Sequence, residues 1–472
     1  MKSERSFLLI PAAFTGLCFS LLFCRVRGIG INSPVFAAVL TACFIYAAKR
    51  FEPKNLKRSY PYAAGLLLLA LSDCLTANEF VQRVNELGIF ILVILMITEC
   101  FCDSGSWQFG GYISACVRLV FSALGKVPEP AALLFRRGGA RSGRSKYVAI
   151  GLVLSIPLLL IVLPLLASAD LVFGRLLRQI FVWNLSDTAR TIVSAVFLFV
   201  AAFLGFYCAI AGASDHPADR EQQSRKKAEP AIAVTASAVL AVIYAVFCVI
   251  QISFLFSGGR WGLPEGCTYS GYARQGFFQL LFVSLLNVAL VIACTGLFDR
   301  SKALDILLTV ISGCTYILIA SSAYRMALYI GAYGLTFLRL FALWFLALLT
   351  ASMTGTLAFI WNRRFSLFRF CLFVCLAMWL CFGCARPDRI AAEYNADRFG
   401  LTEDVARNML YELSVDAVPV MARYESYKDL PPPLKDDWER YLTVTVDEKY
   451  TAYGVRSFNF ALFEARNAVR SK

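Results

Sequence analysis

Histidine is almost missing from this chain: His216 is the only one among 472 residues. That scarcity argues against haem ligation, histidine zinc sites and histidine proton relays. Charge is scarce as well. Asp, Glu, Lys and Arg make up 17% of the residues, where a soluble protein carries about a quarter. There is too little polar surface here for a chain that is soluble throughout. No GxxxxGKS/T phosphate loop, HExxH pair or GxSxG elbow occurs, and no carboxylate cluster in an apolar run resembles a metal site. These absences count against a nucleotide-driven pump or a common hydrolase, and no cofactor or metal is expected. The reading leans away from an enzyme. Net charge is +14, but it is parcelled into short loops and joins no nucleic-acid-binding pattern, so nucleic acid is not an expected partner.

What the chain has in quantity is apolar residues, at 58%. A crossing of about 30 Å of hydrocarbon needs roughly 20 residues. Eleven runs approach that length: 7–24, 31–48, 60–77, 84–102, 148–168, 189–212, 230–256, 276–298, 304–324, 334–360 and 366–384. The expected fold is an all-α membrane protein of about eleven transmembrane helices with a small helical extracytoplasmic tail. Residues 1–102 supply helices one to four, 103–147 a cytoplasmic amphipathic helix and basic loop, 148–384 helices five to eleven, and 385–472 the tail.

Lysine and arginine accumulate on the cytoplasmic side of membrane proteins. Alternate hydrophilic segments, beginning with the N-terminus, hold 22 of them, and the intervening segments hold 8. This predicts a cytoplasmic N-terminus and, after eleven crossings, an extracytoplasmic C-terminus. The first run follows Lys2 and Arg5 without a small-residue cleavage site, and so reads as an uncleaved anchor. Within 105–126, Phe109, Ile113, Cys116, Val120 and Leu124 share one helical face, which fits a helix lying in the inner interface or one buried between spans. The sixteen cysteines all fall at or before Cys384, nearly all in apolar runs, where cysteine is a soft packing residue. The tail has thirteen basic and fifteen acidic residues, so the positive surplus belongs to the membrane part. Thr402 is placed as a helix N-cap there, and Trp438, Tyr441, Phe458 and Phe460 as contacts to the outer membrane face.

The stretch "YRMALYIGAYGLTFLRLF", 324–341, carries Arg325 and Arg339 in apolar surroundings. The 58 residues from Leu304 to Trp361 are too many for one crossing. A fold-back is predicted at Gly331–Gly334, with Arg325 ending one helix and Arg339 starting the next. Burying arginine in hydrocarbon costs roughly 2.5–3.5 kcal/mol on insertion scales, so each needs a partner or a route to water. Three readings stand open: snorkelling to headgroups, an intramembrane ion pair, or an outward-facing site for an anionic solute or lipid headgroup. The candidate residues are Arg325, Arg339, Tyr333, Thr336, Asp73, Asp170, Glu265, Tyr272 and Arg274, with Glu79 and Glu86 as further acids at the same level.

"SGYARQGFFQLL", "YRMALYIGAYGLTFLRLFALWF", "RPDRIAAEYNADRF", "ELSVDAVPV" and "RSFNFALFEAR" occur in that order. Together they resemble an uncharacterised family of bacterial polytopic membrane proteins, domain of unknown function 4173, over roughly 265–470. The resemblance implies the bacterial cytoplasmic membrane and a tail that belongs with the membrane domain, and it brings no catalytic residues. The leading functional expectation is a permease-like transporter of a small, anionic solute. The alternative is a non-catalytic sensor or assembly partner meeting an extracytoplasmic protein through its tail. A lipid- or envelope-modifying enzyme stands third. The lipid bilayer is the one partner common to all.

Overall fold

The structure is a computed structural model that describes residues 4–51, 53, 55–105, 107–136, 151, 155, 159, 162–163, 165–181, 186–215, 228–256 and 269–471. At 134–136, 177–181, 254–256 and 269–275 the description is of the backbone alone. Apart from one isolated bridge between Ala228 and Phe298, the described secondary structure is helical.

Four helices open the chain: α1 (Leu9–Phe23), α2 (Asn32–Lys49), α3 (Leu56–Ser72) and α4 (Glu79–Phe101). They pack in sequence order, as short connections require of antiparallel neighbours. The amphipathic segment forms α5 (Phe109–Leu124), followed by α6 (Pro128–Arg136) and α7 (Leu171–Phe181). α8 (Asp187–Asp215) then returns to pack along α1 and against α5. A second group, α9 (Pro230–Phe256), α10 (Tyr269–Leu297), α11 (Lys302–Tyr333) and α12 (Phe337–Trp361), is centred on α11. α13 (Leu367–Cys384) joins the groups by touching both α12 and α3. Nine of the described helices, α1, α2, α4 and α8–α13, are long and apolar enough to cross a membrane.

Polar residues sort to the two ends of this bundle. At the end holding the N-terminus, Arg5 and Lys126 bind Glu129 and Asp215, joining the 3₁₀ turn Glu4–Leu8 ahead of α1 to α6 and α8. There too Asp305 accepts from Arg300 and Arg363, each at 2.9 Å. Glu99, a lone acid in the sequence, receives Tyr62 at 2.9 Å and Tyr112 at 2.6 Å, with Arg369 of α13 at 3.6 Å. α5 lies along this end: Tyr112 meets the end of α4, and Ser122 donates to Gly212 near the end of α8. Its Ile113, Val120 and Leu124 point outward, as expected of a face meeting lipid.

The tail covers the opposite end. It consists of α14 (Pro387–Phe399), α15 (Glu403–Tyr411), α16 (Val418–Met421), α17 (Pro432–Arg440), α18 (Val446–Tyr453) and α19 (Phe460–Arg470), with short 3₁₀ and π turns between. Thr402 caps α15 as the sequence implied, accepting from the Val405 N–H. Met409, Val418, Met421, Trp438 and Leu462 build a core that continues into Ile330 of α11, Leu346 of α12 and Leu335 between them. Trp438 is therefore a core residue rather than a membrane contact, whereas Phe460 is exposed.

Candidate functional site

The predicted fold-back is present, displaced to 334–336. α11 runs through Gly331, where a helix meets no obstacle, and ends at Tyr333. Gly334 then takes φ 77° and ψ −178°, a conformation essentially reserved for glycine. Thr336 caps α12 by accepting from the Arg339 N–H. Arg325 accordingly sits two turns inside α11 instead of ending it. Its guanidinium is buried, donating to Gln251 of α9 at 3.2 Å and lying so close to Gly276 of α10 that a side chain there would collide with it. Ser321 shares the same Gln251 oxygen at 2.7 Å.

Arg339 has a different occupation. Its guanidinium donates to the carbonyls of Tyr333 (2.8 Å) and Gly334, and stacks over the Tyr329 ring at 4.1 Å. The end of an α-helix leaves carbonyls without intrahelical partners, and a cation there also meets the negative end of the helix dipole. Arg339 is thus a staple that closes α11 across the bend. Among the described residues no carboxylate pairs with it. Arg339→Gln should lower unfolding stability by about 1–3 kcal/mol, the usual worth of charged hydrogen bonds. Thermal unfolding in detergent measures this, and an unchanged midpoint would remove the staple.

The other candidates divide. Tyr333 is exposed, its ring against Tyr329. Asp170 caps α7, accepting from Val172 and Phe173 at 2.7 and 2.8 Å. Glu86 pairs with Arg83 on its own helix. Glu265 lies outside the described residues, as do the side chains of Tyr272 and Arg274. Asp73 leads somewhere the sequence did not indicate. It is fully buried after α3, accepting from Ser33 and Asn85 at 2.7 Å each, and Asn85 in turn receives the Trp379 indole at 2.7 Å.

Around Asp73 the loops of the bundle and the tail form one buried polar seam. Asp416 accepts the Thr76 hydroxyl at 2.5 Å and the Ala77 N–H at 2.9 Å. Asp388 accepts from the Asn78 amide at 2.7 Å and from the Ser414 N–H. Asn459 caps α19 while its amide donates to the carbonyls of Asp73 and Thr76 at 3.0 and 2.9 Å. Asn395 grips Leu335 at both its N–H (2.6 Å) and carbonyl (2.7 Å), so the bend itself belongs to the seam. Main-chain bonds run from Ile31 to Phe458 and from Phe460 to Cys74. Arg386 donates to the Leu75 carbonyl and, with Arg389, binds Glu464.

Burial pushes the carboxyl groups of Asp73 and Asp416 up, to about 7 and about 6. Hydrogen bonds from Ser33 and Asn85, and from Thr76 and Ala77, pull each back, while Glu86 and Asp388 respectively push further; Arg386 opposes Asp388. Glu464 is the reverse case: burial is outweighed by Arg386 and Arg389, which hold it below the usual range. A raised carboxyl binds its proton more tightly folded than unfolded, so its stabilising effect is full below about pH 4 and is lost as pH rises through 6 to 7. The depressed Glu464 contributes above its unfolded pKa near 4 and loses this as pH falls. Tail docking should therefore be tightest near pH 4, weaken as pH rises to about 6–7 and stay level above that. Hydrogen exchange of the tail across that range measures it, and a flat profile would contradict it.

The fold and seam define a class: an all-helical integral membrane protein whose tail is built into one end of its bundle. The family model described as Domain of unknown function (DUF4153) matches residues 63–424, more than three quarters of the chain, and the protein belongs to that family. This corrects the family number read from the sequence motifs, 4173, and places the likeness over 63–424, reaching back into α3 and ending before the last motif at 456–466. No curated protein and no solved structure matches the chain.

Proposed function

We propose that this protein is a non-catalytic membrane sensor or assembly partner that works through its tail. The observation behind this reading is the seam. Three bundle segments, at Ile31, at 73–78 and at Leu335, are joined to the tail by buried side-chain and main-chain hydrogen bonds, which suits a tail that must hold one orientation on the membrane. Arg339, the residue on which an anion site chiefly rested, is engaged with the end of α11. Eleven crossings are our count: nine helices of spanning length, α3 lying between α2 and α4, and the apolar run 148–168. The distribution of Lys and Arg supports a cytoplasmic N-terminus and an extracytoplasmic tail.

The permease reading keeps one specific support. Tyr244 donates to Asn287 and Asn287 to Thr315, which with Gln251, Ser321 and Arg325 makes a polar column between α9, α10 and α11. Buried polar residues in spans mark solute paths as well as helix contacts. Photo-crosslinking from single positions on the exposed tail, Tyr411 and Val444, separates the readings. The sensor or assembly reading expects discrete protein adducts from living cells that disappear when the tail is released. Adduct patterns identical to those from lipid-facing Phe373 would overturn it. An impermeant thiol reagent should reach a cysteine at Val455, which is 90% exposed, only from the extracytoplasmic side.

A further inference from the structure

α7 separates apolar from basic residues more sharply than any other described helix. In its sequence Val172, Phe173, Leu176, Leu177 and Ile180 recur at helical spacing, with Arg175 and Arg178 between them. No acidic residue occurs from Leu171 to Ser186. Val172 is 67% exposed and Leu176 50%, and Arg175 is exposed beside them. None of the other described helices packs along α7. Gly174 lies against the Ala167 carbonyl, so the helix turns directly out of the segment before it.

We propose that α7 is a membrane-surface helix whose partner is the phospholipid of the tail-side leaflet, with Val172 and Leu176 among acyl chains and Arg175 at headgroup phosphates. Level, apolar exposure and charge choose that partner. α8 begins at the tail-side end of the bundle: Arg25, just past α1, donates to the Thr191 hydroxyl at 2.8 Å, and Arg456 of the tail donates to the Leu21 carbonyl at 2.8 Å. The link from Phe181 to Asp187 reaches at most roughly 20 Å, so α7 stays near that end. At its other end α7 follows the apolar run 148–168, whose Leu159, Leu165 and Leu166 are exposed. With that run crossing the membrane, both ends of α7 stand at one face. A helix about 16 Å long then lies along the bilayer surface or stands out into water. Standing out would leave Val172 and Leu176 wetted; lying down places them at the boundary of headgroups and acyl chains. Arginine without neighbouring acids fits the phosphates there, because the guanidinium presents a planar fork of donors. The inference rests on the crossing at 148–168 and not on the sensor reading.

The test places a benzophenone amino acid singly at 172, 175 and 176 of the full-length protein, reconstituted in liposomes of phosphatidylethanolamine and phosphatidylglycerol. Mass spectrometry after illumination should find phospholipid adducts at 172 and 176 in yields like those from outward-facing Phe373. Position 175 should give several-fold fewer, and the exposed tail residue Tyr411 none. Protein adducts in place of lipid at 172 and 176, or equal lipid yields at all three positions, would overturn the proposal. Arg175→Glu combined with Arg178→Glu should lower the yield at 176 several-fold, and an undiminished yield would remove the headgroup contact. The crossing is checked separately by a cysteine at Ser145, which an impermeant thiol reagent should reach only from the side opposite the tail. Labelling of that cysteine from the tail side would remove the crossing, and this inference with it.

Discussion

Replacing Gly334 by alanine should destabilise the protein by about 3–6 kcal/mol, a large share of the 5–15 kcal/mol that holds a typical domain folded. Two independent costs combine. The backbone at φ 77° and ψ −178° is strained for any side chain by about 1–3 kcal/mol. A Cβ there would also stand 2.7 Å from the Asn395 Oδ1. Relieving that contact breaks the paired bonds between Asn395 and Leu335, leaving buried groups without partners at about 1–3 kcal/mol each. The control is three residues away. Gly331 is helical with open space around its Cα, so Gly331→Ala should be neutral or stabilise by up to about 1 kcal/mol. Unfolding midpoints and cellular abundance measure both. Equal stability of the two variants would mean that the bend is not built as described.

The second large effect is expected at Asp416. Alanine there removes both acceptors at once, leaving the Thr76 O–H and the Ala77 N–H buried without acceptors at a cost of about 2–5 kcal/mol. Because Asp388, Asn395 and Asn459 hold the same seam, the damage should fall on docking before it reaches the bundle. Hydrogen exchange in 387–471 should rise while α3 and α4 stay protected. Asp416→Asn keeps one acceptor and removes the titrating group, so it should be milder and should flatten the loss of docking between about pH 4 and 6. A tail as protected in Asp416→Ala as in the wild type would show that the apolar contacts to Ile330 and Leu335 suffice alone.

Legibility differed between residues for physical reasons. The bend at Gly331–Gly334 was readable because the 58 residues from Leu304 to Trp361 overfill one crossing and glycines mark where the backbone can turn. The face of α5 and the Thr402 cap were readable because both depend on neighbours within one or two turns. The helix end was misplaced because Gly331 costs a helix only about 1 kcal/mol, which packing along α11 outweighs. Arg339 invited a search for carboxylates, but its partners are carbonyls, which every residue carries and no composition reveals.

The amino-acid order alone determined the solvent and the helical class: long apolar runs demand hydrocarbon, and helices satisfy their own backbone there. Those properties are local sums over neighbouring residues, and they survive without knowledge of any distant contact. Only the tertiary structure decided which residues join the tail to the bundle, since Thr76 and Asp416 lie 340 residues apart and Asn78 and Asp388 lie 310 apart. A buried aspartate must be hydrogen-bonded, but the chain does not say by whom. Folding chooses the partner by bringing one loop of the membrane domain beneath one turn of the tail.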